Sequence, residues 1–484
     1  MHASLFEQCH QRSTFTVCLI ILRFQVKFSQ YEAKQLLKLA TPIFLAQITQ
    51  VMMNVVDSMM AGGVSPIDMA ALAIGSSIWM PVVIATSALL SAMISLISHH
   101  YGAKDHDKVT QTVIQGFYAA IFLLVVSSIL FIWKNDFLAL VDMEDKTRQL
   151  ASEYLDYVFW GLPAAYGFTL LRYLSEGIGF TKPTMVISFI GILVNIPANY
   201  ILIYGKFGVP AMGGAGCGLA TTIVTYTMFI SMLIYTQISP RLNKYQFLKN
   251  WQKPVREIQS QIFRIGTPIA FAVLFEVALF CCIPILIAPL GADIVASHLI
   301  AANFSTLVYM IPMSLSLATT IRVGYYIGRD EMDKMRNAVL SSFTCAVIIS
   351  AIVIFLTILL RKPIAELYTN DQNVILLAGS LLIIACFYQL SDSIQVIATA
   401  VLRGLKRTQS VFYITFVAYW PIGFCLGYGL GLTTYFVAEP LGAKGFWIGI
   451  VVGLTVAAVL LSWQLRRILK EPEFAIQQET IERT

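Results

Sequence analysis

Charged residues are scarce in this chain. Only 12% of its 484 residues are Asp, Glu, Lys or Arg, whereas 57% are hydrophobic, and a typical soluble domain carries about 25% charge. Too few polar side chains are present to cover the surface of a water-soluble fold of this length. The composition therefore excludes a soluble protein and indicates one that lies in the lipid bilayer.

Motifs that carry chemistry are lacking as well. The eight cysteines are scattered, and none has CxxC or metal-ligand spacing. The glycine-rich stretch GGAGCG at 213–218 lacks the preceding strand and the Lys-Ser/Thr of a phosphate-binding loop. No catalytic triad, zinc motif or redox-cofactor motif appears, and the basic residues form no single patch that suits nucleic acid. We expect a protein that is not an enzyme, needs no cofactor and does not bind nucleic acid.

Long apolar segments dominate what is there. About 20 mainly apolar residues cross a bilayer as a helix, and twelve segments qualify. They cover residues 36–62, 67–98, 109–133, 151–175, 184–204, 213–238, 260–289, 293–321, 337–360, 374–402, 410–432 and 445–465. The predicted fold class is an all-α membrane protein with twelve transmembrane helices.

The basic residues indicate the orientation of these helices. Of the 33 Lys and Arg residues, 26 lie in or beside segments on one side of the membrane and 7 on the other. Because cytoplasmic loops carry the excess of Lys and Arg, both termini are expected in the cytoplasm. The richest loop follows the sixth segment, where we expect a linker.

The sequence repeats at an offset of 226 residues. Thr41-Pro42-Ile43 recurs as Thr267-Pro268-Ile269, and Gly102 recurs as Gly328. Six crossings return the chain to its starting side, so the two six-helix lobes should be parallel repeats related by an axis along the membrane normal. We predict an N-terminal extension over 1–30 that is poorly ordered, lobes over 31–240 and 260–470, a cytoplasmic linker over 241–259 and a cytoplasmic tail over 471–484.

Three carboxylates, Asp57, Glu276 and Asp392, lie inside apolar segments. A charge at mid-membrane costs about 2.5–3.5 kcal/mol on insertion scales and normally faces a cavity or a bound ion. The repeat does not conserve them, since Glu276 corresponds to Gln50 and Asp57 to Ile283. We therefore expect a transported cation and a separate chemistry in each lobe.

Further oxygen-bearing side chains share a helix face with these acids or with one another. They are Gln47, Gln50 and Asn54 with Asp57; Tyr388, Gln395 and Thr399 with Asp392; Asn195 and Asn199 around Pro197; and Thr221 with Cys217. Carboxylate, amide and hydroxyl oxygens are the ligands that hard cations take. Interhelical hydrogen bonding is the alternative role for the amides and hydroxyls.

Three motifs carry a resemblance to a known family. They are VVDSMMAGG at the end of the first segment, LFE in the seventh and YQLSDSIQVIATAVLRG in the tenth. With twelve segments in two lobes, the chain resembles the multidrug and toxic compound extrusion (MATE) family, above all its NorM branch of bacterial exporters. The resemblance covers roughly residues 30–470.

The resemblance implies a monomeric antiporter in the bacterial inner (plasma) membrane. It would expel cationic amphipathic drugs and dyes while admitting Na⁺, which we favour, or H⁺. A lipid-linked precursor flippase of the same superfamily is the alternative, although such a protein should line its cavity with cationic residues that hold phosphates. The sequence offers three acids instead.

Site residues follow from the resemblance by position. Glu276, Asp392 and Tyr388 match the cation site of the second lobe, with Na⁺ held by the two acids. The polar pocket of the first lobe, which also binds cations, is matched by Asp57, Asn195, Asn199 and Thr221. Substrate contacts are expected at Asp57, Gln50, Asn54 and Gln395.

Overall fold

The computed structural model describes residues 28–139 and 143–470. Most of the predicted N-terminal extension and the whole of the predicted tail lie outside the described residues. Within these two ranges the chain is helical and contains no strand. This confirms the all-α fold class.

Twelve long helices account for nearly all of the described chain. They are α1 Gln30–Gly62, α2 Pro66–Gly102, α3 His106–Ile132, α4 Asp145–Gly177, α5 Lys182–Tyr204, α6 Gly214–Ile238, α7 Arg256–Ile287, α8 Ala292–Gly328, α9 Met332–Glu366, α10 Gln372–Gly404, α11 Gln409–Leu432 and α12 Ala443–Lys470. The short helices Lys134–Ala139 and Pro240–Asn243 and the 3₁₀ turn Ala288–Leu290 lie between them. Each predicted segment corresponds to one long helix.

Helix α4 differs from the others in polarity. Among the described residues, eleven helices are long and apolar enough to cross a membrane, and α4 is the exception. Charged residues occupy both of its ends, including Arg172 and Glu176. These two pair at 2.7 Å across one helical turn, as their spacing permits. The ion pair lets α4 lie buried against α2 and α6 despite its charges.

Helix α11 changes its winding in the middle. Residues Ala418–Phe424 form a π-helical segment that contains Pro421. Proline has no N–H to donate and its ring crowds the preceding turn, so the helix takes a wider turn there, a deviation common at functional sites. The segment buries Tyr419, which lies at the site described below.

Glycines hold α11 close to α12. A Cβ on Gly445 would lie 2.4 Å from the backbone nitrogen of Gly431, and one on Gly449 would lie 2.4 Å from the carbonyl oxygen of Gly423. Real Cβ atoms do not approach so closely, and only glycine permits this contact. The pairing fixes the position of the π-helical segment.

The described chain divides into two compact units. The amino-terminal unit is Lys38–Leu274, and the carboxy-terminal unit comprises the described parts of Met1–Leu37 and Phe275–Thr484. Both divisions fall inside a helix, at Leu37 of α1 and at Leu274 of α7. The lobe boundaries expected from the sequence stay predictions.

Equivalent contacts recur in the two units at the offset of the repeat. The backbone N–H of Ser29 donates to Ser341 Oγ at 3.3 Å in the carboxy-terminal unit. In the amino-terminal unit the N–H of Val255 donates to Gln115 Oε1 at 3.0 Å. Residues 29 and 255, like 115 and 341, are 226 positions apart. The internal duplication is therefore visible in the hydrogen bonding of the helix ends.

The basic segment after α6 is packed on the amino-terminal unit. Leu242, Tyr245 and Phe247 are buried, and Phe247 stacks on Phe117 of α3. Gln115 donates from Nε2 to the carbonyl oxygen of Lys253 at 2.9 Å. Aromatic burial and hydrogen bonds thus fix the path of the chain from α6 into α7.

Candidate functional site: two carboxylate clusters

The amino-terminal unit surrounds Asp57 with amide donors. Asp57 on α1 is 8% exposed, and α5 brings two asparagines to it. Asn195 Nδ2 lies 2.9 Å and Asn199 Nδ2 lies 2.5 Å from the same oxygen, Oδ1. The two asparagines are one turn apart around Pro197, so one face of α5 supplies both donors.

Helix α6 completes this cluster. Thr221 makes a side-chain hydrogen bond with the Asp57 carboxyl group, and Cys217 Sγ donates to the Asp57 carbonyl oxygen at 3.7 Å. The Oδ1 atoms of Asn195 and Asn199 are buried without a partner. A carboxylate held by donors, with two neutral amide oxygens nearby, is a set of groups that suits a cation.

The other polar residues on this face of α1 differ in exposure. Gln47 is 7% exposed and buries both ends of its amide without a partner. Gln50 and Asn54 are exposed. The polar neighbours of Asp57 therefore lie on α5 and α6. The side chains of Gln50 and Asn54 are accessible on the surface of the amino-terminal unit.

The carboxy-terminal unit brings two acids together. Asp392 on α10 is 1% exposed, Glu276 on α7 is half-buried, and the two carboxyl groups interact electrostatically. In the described part of the chain, no Lys or Arg forms an ion pair with either acid. Asp392 Oδ1 is buried without a hydrogen-bond partner. Two neighbouring carboxylates in a dry site cannot both stay ionised unless a cation or a proton compensates them.

Three tyrosines stand around the acid pair. Tyr388, on α10, was expected from the sequence, and it interacts electrostatically with both acids. Tyr309 of α8 and Tyr419 of α11 do so as well, and sequence reasoning missed both. The available signal was a proline soon after each tyrosine, in YMIP and YWP, because prolines inside spans mark irregular helix turns.

A small cavity opens beside Asp392. It is lined by residues of α8, α9 and α10, including Ser305, Ser350, Gln389, Asp392 and Ser393. Its size is roughly that needed for one water molecule. Gln395, one turn beyond Asp392, does not line it and donates weakly to Thr399 Oγ1 at 3.4 Å.

Both clusters consist of few charges and many neutral oxygens. Among the described residues, no group of three or more His, Cys, Asp and Glu side chains is placed to hold a metal ion. The predicted cation residues nonetheless fall into two sets: Asp57, Asn195, Asn199 and Thr221 in one unit, and Glu276, Asp392 and Tyr388 in the other.

Comparison with known families gives two matches along the chain. The family model described as MatE matches residues 42–201 and again residues 268–429. The two matches begin 226 residues apart, which is the offset of the internal repeat. Together they cover most of the two lobes.

Relatives of high similarity are bacterial multidrug resistance proteins. The "Probable multidrug resistance protein NorM" of Shewanella oneidensis is 45% identical over 445 residues, which is 92% of this chain and 97% of that protein. "Multidrug resistance protein MdtK" of Yersinia enterocolitica is 42% identical over 450 residues, covering 93% and 98%.

Solved structures share the fold. The eukaryotic MATE transporter AtDTX14 gives a TM-score of 0.79 at 20% identity, covering 91% of this chain and 99% of its own. A MOP superfamily transporter from Pyrococcus furiosus gives 0.80 at 20% identity, covering 92% and 98%. These likenesses concern the fold alone.

Proposed function

The chain belongs to the MATE family of multidrug efflux transporters, and on that premise we propose that it exports cationic amphipathic drugs and dyes in exchange for Na⁺. It is a multi-pass membrane protein and not an enzyme. The observation that carries the proposed exchange is the pair formed by the half-buried Glu276 and the buried Asp392, which has no cationic partner within the described residues.

An uncompensated acid pair supports the ion-binding role. Removing a carboxylate from water costs several kcal/mol unless an opposite charge accompanies it. In the membrane-embedded unit, an entering cation supplies that charge. Its movement across the membrane releases about 2.3 kcal/mol per elementary charge for each 100 mV of potential. A monovalent cationic drug that leaves in a one-to-one exchange consumes the same amount, so that exchange is driven by the Na⁺ concentration gradient.

Neutral oxygens favour Na⁺ over H⁺ as the coupling ion. A proton needs one carboxylate oxygen, whereas a hard metal cation takes several oxygens at once. Tyrosine hydroxyls and the polar wall of the cavity surround Asp392. They supply the additional oxygens that Na⁺ uses and a proton does not.

Asp57 is proposed to receive the drug. Its amide and hydroxyl donors orient the carboxyl group, and in its ionised form this group attracts a cationic substrate. The exposed Gln50 and Asn54 are proposed to contact the remainder of the drug. The substrate contact expected at Gln395 stays a prediction. In this proposal the carboxy-terminal unit binds the ion and the amino-terminal unit binds the drug. The two binding events are coupled when both shift the same conformational equilibrium.

The remaining assignments follow from the chain's charge and relatives. We propose a monomer in the bacterial inner membrane with both termini in the cytoplasm, since the Lys and Arg residues concentrate on one side. Lipid-linked precursor transport is the competing function. The carboxylates of both clusters oppose it, because they would repel a phosphate.

Transport in proteoliposomes tests the proposal directly. The purified full chain is reconstituted with ethidium, and an inward Na⁺ gradient is imposed at constant pH. Ethidium should leave against its own gradient, and Glu276→Gln should stop this export. Export that responds only to a pH gradient would assign H⁺, and movement of a lipid-linked phosphate without ethidium export would favour the flippase.

A further inference from the structure

The cavity beside Asp392 contains a concentration of unpartnered polar atoms. Ser305 Oγ, both amide atoms of Gln389 and Asp392 Oδ1 are all buried without a hydrogen-bond partner. The three residues are 2%, 4% and 1% exposed, and all of them line the same cavity. Helix α7, which carries Glu276, contributes no lining residue.

Such a wall is costly if nothing occupies the cavity. A buried polar group without a partner costs about 1–3 kcal/mol, and most buried polar atoms in folded proteins are satisfied. The two other serine hydroxyls in the wall do have hydrogen-bond partners. Ser350 donates to Ser393 Oγ at 2.7 Å, and Ser393 donates to the Gln389 backbone carbonyl oxygen at 2.8 Å. Among the polar side chains that line this cavity, the unpartnered atoms therefore belong to Ser305, Gln389 and Asp392 itself.

The oxygens in the wall indicate the class of ligand. They are a carboxylate oxygen from Asp392, an amide oxygen from Gln389 and a hydroxyl oxygen from Ser305. These are ligands for a hard cation, and the cavity has about the size of one water molecule, which also fits a small monovalent ion.

We infer that Ser305 and Gln389 are ligands of the coupling Na⁺, which enters this cavity and binds Asp392 from the side formed by α8, α9 and α10. This inference rests on the proposed Na⁺-driven exchange and extends it to two residues to which the sequence analysis gave no role. Tyr388 also lines this cavity, whereas Glu276 interacts with the same carboxyl group from outside the cavity wall. The two neutral ligands make the site selective for Na⁺ over H⁺, because protonation of Asp392 has no need of them.

Na⁺ binding to the purified full chain tests this assignment. Ser305→Ala and Gln389→Met remove the proposed ligand atoms and keep the side chains compact. Each should weaken the affinity for radioactive Na⁺ by about tenfold or more, as expected for the loss of a contact to a charged group. Ser314→Ala is the matched control, because Ser314 is a buried serine of α8 whose hydroxyl donates to the Met310 carbonyl oxygen at 2.6 Å.

Thermal unfolding separates a ligand role from a packing role. Without Na⁺, replacing an unpartnered polar atom should leave the midpoint unchanged or raise it. Wild type and Ser314→Ala should gain stability as Na⁺ is added, and Ser305→Ala and Gln389→Met should gain far less. A fall in the midpoint without Na⁺, with the Na⁺-induced gain intact, would assign these residues to packing.

Two other results overturn the inference in distinguishable ways. Na⁺ affinities within twofold of wild type in both variants, with Glu276→Gln still unable to export, would show that the cavity holds only water while the exchange mechanism stands. A wild-type protein that binds no Na⁺ and exports ethidium with H⁺ alone would remove both this inference and the Na⁺ coupling on which it rests.

Discussion

Asp57 and Asp392 occupy membrane helices of two duplicated units, yet their surroundings are opposite. Asp57 accepts hydrogen bonds from Asn195 and Asn199 and a further one from Thr221. Asp392 has an unpartnered oxygen and a second acid, Glu276, as its electrostatic neighbour. The protein supplies hydrogen-bond donors to Asp57, whereas Asp392 depends on a cation or a proton to compensate its charge.

The difference is in the surroundings that two duplicated units give to a carboxyl group. The same arrangement of helices can stabilise an ionised carboxylate when hydrogen-bond donors surround it. Without such donors, the ionised carboxylate depends on a cation for stabilisation. In the repeat, Ile283 stands where Asp57 would recur, and it is fully buried in an apolar cluster. On the proposed assignment, a change at a few positions within this arrangement separates drug binding from ion binding.

The largest expected effect is at the acid without donors. Asp392→Asn keeps the side-chain volume and removes the charge that binds the ion, so ethidium export driven by Na⁺ should be abolished. Glu276→Gln should have the same result. Export is measured in proteoliposomes that contain equal amounts of folded protein.

Asp333→Asn is the control for this prediction, because Asp333 is almost fully exposed at the start of α9 and pairs loosely with Arg336 at 3.7 Å. It should export at the wild-type rate. Wild-type drug export by Asp392→Asn would remove Asp392 from the coupling mechanism.

Much of the architecture could be predicted from the sequence because membranes impose strict rules. Length and hydropathy predict the helices, and the gap-free repeat predicts two similar halves. The three acids stand out against an apolar background. The structure agrees on all of these points, with α4 differing only in its charged ends.

Three features lay beyond sequence reasoning. The π-helical segment that carries Tyr419 depends on how α11 packs on α12 through Gly445 and Gly449. Helical spacing placed Gln50 and Asn54 with Asp57, but it could not tell that they are exposed while Asp57 is buried. The cavity beside Asp392 depends on three helices that are distant in sequence.

A smaller effect is expected at the acid that has donors. Asp57→Asn should weaken ethidium binding by about tenfold, the loss of roughly one charge-assisted contact. Na⁺ binding at Glu276 and Asp392 should stay within twofold of wild type. Both affinities are measured on the same purified protein, and loss of Na⁺ binding with unchanged ethidium affinity would contradict the division of roles between the units.

The donors of Asp57 should matter for stability. Asn199→Ala leaves the carboxylate with one fewer partner in a buried setting, which should destabilise the fold by about 1–3 kcal/mol. Asn250→Ala, at an exposed position in the same unit, should change the free energy of unfolding by less than about 0.5 kcal/mol. Thermal unfolding in detergent compares the two, and equal midpoints would mean that Asn199 does not stabilise the ionised acid.

The smallest effect is expected at Thr221, the donor contributed by α6. Thr221→Val keeps the shape and removes one of the hydrogen bonds to Asp57, while Asn195 and Asn199 still hold the carboxylate. A single neutral hydrogen bond contributes about 0.5–1.5 kcal/mol, so ethidium affinity should change by roughly two- to tenfold. Thr227→Val is the control, because Thr227 is half-buried and its hydroxyl donates only to the Ile223 carbonyl oxygen of its own helix. If the two valine variants bind ethidium equally well, α6 does not tune the drug-binding acid, and the contrast between the units depends on the α5 asparagines alone.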